Sequence, residues 1–270
     1  MKIKANCKIN LGLFVVRKRE DGYHDLETVM LPVRELYDVV EVERREDYDV
    51  TFVGRGVTVD CPVEDNLTVR AARLVMARYA TRGVSITLDK RVPFGAGLGG
   101  GSSDATAVIV AMNELYGLGL GVEQLVELAS AIGSDTAYFV HNDYRLCTGR
   151  GEITEPINLS LKGLWLAVVK PEEGVSTAEA YRGVEPRIPQ RSLRELLAEP
   201  VERWQGSVVN DFEPHIFLAH PRIAELKAML LASGAVYASM SGSGSALFGL
   251  FSERPELPCV DGCMVHVEEL

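Results

Sequence analysis

Seven residues, Gly95 to Gly101, contain five glycines, and Ser102 and Ser103 follow at once. Bare backbone on that scale lets main-chain N–H groups converge on an anion, because no Cβ stands in the way. The segment runs Pro93, Phe94, Gly95, Ala96, Gly97, Leu98, Gly99, Gly100, Gly101, Ser102, Ser103, and DATAVIVAMNEL then reads as a helix. A helix N-terminus adds partial positive charge at the same point, and two hydroxyls stand beside it. The chemistry implied is the cradling of a polyphosphate. A flexible surface loop is the competing reading, but such loops rarely open straight into an amphipathic helix. The letters also fit G-x-G-x-x-G at Gly95, Gly97 and Gly100. That fingerprint needs an apolar strand entering the first glycine and an acid about 20 residues on. Here KRVP precedes the loop and LYGLGLG lies downstream. The loop lacks the lysine of a G-x-x-x-x-G-K-[ST] motif, and no V-A-I-K, H-R-D or D-F-G is present.

A second group of candidates sits near the N-terminus. Residues 3 to 15 alternate, with Ile3, Ala5, Cys7, Ile9, Leu11, Leu13 and Val15 set against Lys4, Asn6, Lys8, Asn10 and Gly12. Period two predicts a strand with one buried face, so Lys8 and Asn10 point the same way, about 7 Å apart.

These groups need elements to hold them. EDGYHDLET reads as a polar turn, and YDVVEVERR and YDVTFVG as further strands. DNLTVRAARLVMARYA predicts a helix with Val69, Ala72, Met76 and Tyr79 on one stripe. VSITLDKRVP predicts a strand ending by Pro93. The helix after the glycines carries Ala105, Val108, Ile109, Met112 and Leu115 at helical spacing, and VEQLVELASAIG is another helix stopped by Gly133. Beyond residue 155 a strand, GLWLAVVKP, leads into STAEAYRGV and a Pro- and Arg-rich stretch. Helices follow near 192–199 and 222–233, then strand, glycine turn and strand in YASMSGSGSALFGLF, and a last strand, MVHVEEL. Strands and helices mix without strict alternation, which predicts an α+β fold in two lobes, residues 1–155 and 156–270.

Composition narrows the function. A net charge of −10 argues against nucleic acid, whose phosphates demand a basic surface, but not against a small anion held by a local nest. Five cysteines, an odd number with no C-x-x-C, read as reduced thiols of a cytoplasmic protein. LGLFVV is too short for a signal peptide, and no apolar run approaches a membrane span.

PFGAGLGGGSSDA resembles the central motif of the GHMP kinases, the family of galactokinase, homoserine kinase and mevalonate kinase. KINLGLFVV resembles their first motif and SMSGSGSALFGLF their third, in the right order over nearly the whole chain. CKINLGLFVVRKREDGYHDLETVM, DNLTVRAARLV and IGSDTAYFV resemble the branch that phosphorylates a cytidine-diphosphate-linked methylerythritol in non-mevalonate isoprenoid synthesis. The resemblance implies the two-lobed GHMP fold, an N-terminal lobe like ribosomal protein S5 domain 2 and a ferredoxin-like C-terminal lobe. It implies transfer of the ATP γ-phosphate to the acceptor's 2-hydroxyl, with Mg²⁺ carried in on ATP. A GHMP kinase for another small alcohol, such as homoserine or a sugar, is the alternative. No nucleic acid or membrane partner is implied, and a monomer or weak homodimer is expected.

The resemblance also implies roles. Asp135 matches the catalytic aspartate, which accepts or orients the proton of the attacking hydroxyl. Lys8 matches the catalytic lysine, a cation that favours ionisation of that hydroxyl. Tyr23 and His24, in DGYH, match positions that hold the cytosine, and Tyr181 matches the aromatic across from it. Asn10 joins the acceptor site. Arg150 is expected to pair with the acceptor's diphosphate. Lys90 and Asn66 are expected to line the nucleotide site with the glycine loop. Ser241 and Gly242, in the second glycine turn, are expected to brace that loop or touch the acceptor's phosphates.

Overall fold

The computed structural model describes residues 1–58 and 61–270. The chain forms two compact units that interleave along the sequence. The first comprises Met1–Lys8, Pro32–Phe94 and Gly99–Asp143; the second comprises Ile9–Leu31, Gly95–Leu98 and Tyr144–Leu270. Strands β1 (Lys2–Lys18) and β2 (His24–Arg44) contribute to both.

In the first unit β2 meets β4 (Val84–Lys90) antiparallel, Val39 opposite Asp89 and Arg44 opposite Val84. Strand β3 (Val50–Gly56) runs parallel to β4 on its other side. Helices α1 (Leu67–Tyr79), α2 (Gly100–Leu115), α3 (Val122–Ser130) and α4 (Thr136–His141) complete the unit. The predicted stripes face inward: Val69 and Ala72 of α1 and Ala105, Val108, Ile109 and Met112 of α2 are buried. Ala72 and the four α2 residues join Val40, Val42, Val75, Ile86 and Leu88 in one apolar core. Each large side chain taken from water there contributes roughly 1.5–3 kcal/mol.

In the second unit β5 (Arg145–Gly149) pairs antiparallel with Leu26–Met30 of β2, and β6 (Ile153–Pro156) pairs with β5. A second, antiparallel sheet runs in the order β10 (Cys263–Glu269), β7 (Trp165–Pro171), β9 (Leu247–Phe251), β8 (Tyr237–Met240). Helices α5 (Thr177–Arg182), α6 (Leu193–Leu197), α7 (Glu213–Ala219) and α8 (Pro221–Ala232) accompany it. Val169, Phe212, Ile223, Leu226, Leu230 and Leu247 share its core. The α+β class holds.

Three expectations need correction. Residues 5–15 of β1 are buried on both faces, not one. Their polar members have partners: Asn6 bonds Asn142, and Asn10 bonds Thr28. The turn read as EDGYHDLET is shorter, because β2 begins at His24, and YDVVEVERR belongs to that same 21-residue strand. Helices α4 and α7 were not expected. All five cysteines are free thiols. Among the described residues no helix is long and apolar enough to cross a membrane, and no group of three or more His, Cys, Asp or Glu could hold a metal ion.

Candidate active site

The glycine loop is shaped by alternation. Gly95, Gly97 and Gly99 take left-handed φ values of 63°, 73° and 69°, a conformation L side chains resist. Ala96 and Leu98 between them point inward and are buried, while Phe94 is exposed. Successive residues turned this way form a nest of N–H groups. The loop then enters α2 at Gly100, where Ser103 N–H donates to Gly99 at 3.0 Å. Ser103 is buried, and Ser102 accepts at its carbonyl from the Thr106 hydroxyl.

In the first unit the Lys8 ammonium lies 3.5 Å from Asp135 Oδ2. The lysine stem is almost fully buried, whereas the Asp135 carboxylate is one-third exposed, so solvent or a ligand can reach it. A Cβ on Gly99 would press at 3.1 Å on the Lys8 stem and the Phe139 ring, so the glycine makes room for this cation. Asp135 stands immediately before α4, which fixes its backbone.

Lys90 is held deeper. Its ammonium donates to Asp104 at 2.9 Å and to Asp38, and all three side chains are buried. Asp38 Oδ1 also accepts the backbone N–H groups of Arg91 (2.5 Å) and Val92 (2.8 Å), just ahead of the glycine loop. Burial, with Asp38 as a second carboxylate in the same dry pocket, pushes the Asp104 carboxyl up to about 8. The two aspartates share this one lysine. Asp104 Oδ1 has no hydrogen-bond partner among the described residues. A Cβ on Gly100 would come within 2.9 Å of Lys90 Nζ, so the triad also fixes the start of α2.

Asn66 caps α1, accepting from Thr68 N–H (3.0 Å) and the Thr68 hydroxyl (2.7 Å). Asn66 and Lys90 line a slot of about 250 Å³ with Cys61, Leu67, Leu88, Phe94, Gly101 and Asp104. The slot is walled mainly by apolar surface with a few polar groups, as a planar base requires.

In the second unit the two glycine turns interlock. Ser241 Oγ donates to the Gly97 carbonyl (2.9 Å) and accepts from Asn10 N–H (3.2 Å); Ala246 N–H donates to the Ala96 carbonyl (3.1 Å). A Cβ on Gly97 would sit 2.0 Å from the Ser241 carbonyl oxygen, so glycine is obligatory there. Gly242 stands over Gly97 and Asn10. The Asn10 amide donates to the Thr28 hydroxyl, which donates to the Gly12 carbonyl at 2.6 Å. Asn210 secures the turn from behind, donating to the Met240 and Gly242 carbonyls at 2.8 Å each.

The DGYH residues stand on a braced hairpin. Asp25 takes Arg17 (2.5 Å) and Arg19 (3.1 Å), while Asp21 accepts the Tyr23 N–H at 3.1 Å. The His24 imidazole stacks on Tyr181, centroids 4.8 Å apart and planes at 23°, and Tyr181 meets Phe212 edge-on. Burial lowers the pKa of His24, which favours its neutral form. Tyr23 is exposed, and the Arg150 guanidinium lies 5.0 Å above its ring, held also by Glu152 at 3.6 Å. His24 therefore covers one face of Tyr181, and Tyr23 pairs with Arg150. Asp38, Thr28 and Asn210 escaped the sequence reading. A lone Asp in the apolar strand YDVVEV was the one available signal.

Comparison with known proteins places this geometry. Models of the GHMP kinases match the chain twice, the N terminal domain at residues 66–143 and the C terminal at 190–257. In solved structures the chain superposes on a homoserine kinase from Cytophaga hutchinsonii with TM-score 0.71 at 18% identity, over 100% of this chain and 95% of that one, which speaks to the fold. A crystal structure of 4-(cytidine 5'-diphospho)-2C-methyl-D-erythritol kinase matches with TM-score 0.76 at 36% identity, over 93% and 90% of the two chains. Proteins named 4-diphosphocytidyl-2-C-methyl-D-erythritol kinase from Parabacteroides distasonis and Porphyromonas gingivalis are each 45% identical, covering 93% and 95% of this chain and 91% and 94% of their own lengths. The chain belongs to the GHMP kinases, in the family of these 4-diphosphocytidyl-2-C-methyl-D-erythritol kinases.

Proposed function

We propose that the chain transfers the γ-phosphate of ATP to the 2-hydroxyl of 4-diphosphocytidyl-2-C-methyl-D-erythritol. The observation that carries the reading is the Lys8–Asp135 pair, a buried cation 3.5 Å from a carboxylate that a ligand can reach. In the proposed step the acceptor hydroxyl gives its proton to Asp135 as its oxygen bonds to the γ-phosphorus and ADP leaves. Lys8 stabilises the negative charge growing on that oxygen.

The donor's place is read from the slot beside Asn66 and Lys90, which suits a base, and from the N–H nest of Gly95–Gly99, which suits phosphates. Lys90 serves there through the shape it gives α2 and the slot, its charge being held by Asp38 and Asp104. Magnesium carried in on ATP would neutralise the donor's phosphates. For the acceptor, Tyr23, His24 and Tyr181 supply aromatic faces for cytosine, and Arg150 supplies a cation for the diphosphate. Ser241, Gly242 and Asn10 act mainly by bracing Gly97. A lobe boundary near residue 155 separates the two family matches and is proposed on that ground.

The test is a phosphoryl-transfer assay offering ATP with the cytidine-linked substrate, homoserine, mevalonate and galactose side by side. Preference for the cytidine-linked alcohol is expected; preference for homoserine or a sugar would replace the acceptor while leaving the kinase chemistry in place.

A further inference from the structure

His220, at the boundary of α8, lies outside everything assigned so far. Its Nδ1 is 2.6 Å from Glu173 Oε1 and its Nε2 is 2.8 Å from Glu179 Oε1. The two carboxylates belong to different pieces of chain. Glu173 follows β7, and its carbonyl accepts from the Ser245 hydroxyl and, at 3.0 Å, from Lys170 Nζ. It is thereby tied to the second glycine turn. Glu179 lies in the first turn of α5, the helix that carries Tyr181.

Beyond this bridge, α5 is held by Ala180 and Tyr181 against the core, Tyr181 lying edge-on to Phe212. It is six residues long, and Ala180 is its one fully buried side chain. A single helical turn has no stability of its own and takes its position from its contacts. Ser176 caps it, and Thr177 reaches Ser243 at 3.5 Å.

We propose that His220 is a positioning residue for acceptor binding: an imidazolium donating to both Glu173 and Glu179 fixes α5, and with it the face of Tyr181. The inference rests on the reading above that this face holds the acceptor's base.

Only the protonated ring donates from both nitrogens; the neutral ring turns one lone pair toward a carboxylate. The two carboxylates raise the pKa of His220 above its ordinary value. The charged groups around the bridge are Glu173, Glu179, Arg182 acting on Glu179, and Lys170 at the Glu173 carbonyl. Arg222, on the same helix as the imidazole, is drawn to Glu225 at 3.3 Å. The bridge is complete below the ordinary imidazole pKa of about 6.5 and is lost as pH rises through the raised value.

The experiment measures KM for the cytidine-linked substrate, KM for ATP, and kcat from pH 6 to 9. It compares wild type, His220→Gln, Glu179→Gln and Tyr181→Ala, with thermal melts of each. At pH 6.5 His220→Gln is expected to raise the acceptor KM about tenfold, since a small misplacement is enough for that, while the ATP KM stays within twofold. Wild-type acceptor KM should rise with pH; the rise should vanish in His220→Gln and move to lower pH in Glu179→Gln. An acceptor KM unchanged in His220→Gln, equal rises for both substrates, or an unshifted Glu179→Gln profile overturns the proposal. If His220→Gln does not fold, the Glu179→Gln profile decides alone. Tyr181→Ala separates the layers. If it leaves the acceptor KM unchanged, the stacking reading fails. If it raises that KM while His220→Gln does not, the positioning role alone fails.

Discussion

Asp104→Asn probes the buried triad at its most exacting point. The carboxyl is pushed up to about 8 because it lies in a dry pocket beside Asp38, with one lysine between them. In the unfolded chain it ionises near its ordinary value of 3.8. Between those limits the folded chain holds a proton that the unfolded chain has released, so stability falls as pH rises. The slope is about 1.4 kcal/mol per pH unit for one such group. Asparagine has nearly the same shape, keeps an oxygen for Lys90, and carries no such proton. From pH 5 to pH 7 the stability of Asp104→Asn relative to wild type should therefore improve by roughly 2–3 kcal/mol. Urea unfolding followed by circular dichroism at several pH values reads this difference, and groups remote from the triad cancel in it. A difference that stays constant from pH 5 to 7 would show Asp104 ionised throughout. A variant much less stable at every pH would mean that a Lys90–Asp104 ion pair carries the fold.

Further tests address the triad's cation, the base and the cradle. Lys90→Met leaves the buried Asp38 and Asp104 side chains without their shared cation and should lose about 3–5 kcal/mol in the same unfolding assay; a loss under about 1 kcal/mol contradicts the burial argued for the triad. Asp135→Asn should lower turnover by roughly 10²- to 10⁴-fold while ATP still binds in an equilibrium titration; near-normal turnover removes the aspartate from the mechanism. Gly97→Ala combines a left-handed φ of 73° with a Cβ 2.0 Å from the Ser241 carbonyl. It should cost about 2–3 kcal/mol and raise KM for ATP, and an unchanged KM would detach the loop from the nucleotide.

Much of this architecture was legible because burial and period agree. The stripes of α1 and α2 bury apolar residues at helical spacing, and β4 stops at Lys90 ahead of Pro93 as the proline requires. The glycine loop stood out by residue type, whereas Lys8 and Asp135 were singled out by their match to the GHMP motifs. What stayed hidden depends on partners distant in sequence. In β1 the polar Asn6, Lys8 and Asn10 look like a solvent face, yet Asn142, Asp135 and Thr28 meet them inside. Strand β2 was read only from YDVVEVERR because the polar letters of EDGYHDLET read as a turn, and Pro32 lies in the stretch between them. That proline falls between the stretch paired with β5 and the stretch paired with β4, where those ladders ask nothing of its missing N–H. Helix α7 has Pro214 in its first turn and ends at Ala219, two residues before Pro221, so its seven residues carry too little period to read. Asp38 resembled any edge carboxylate until Lys90, 52 residues away, was placed beside it.

The seam between Gly97 and Ser241 joins positions 144 apart in the chain. Loop closure over such a span comes late in folding, after the local helices and hairpins have formed. A ribosome that has already made Gly95–Gly101 has therefore not yet made what holds the loop in shape: the latch arrives only with β8 and the turn behind it. The loop is thus completed only when the chain is nearly finished, and a fragment ending before residue 237 would carry every letter of the motif without the partner that shapes it.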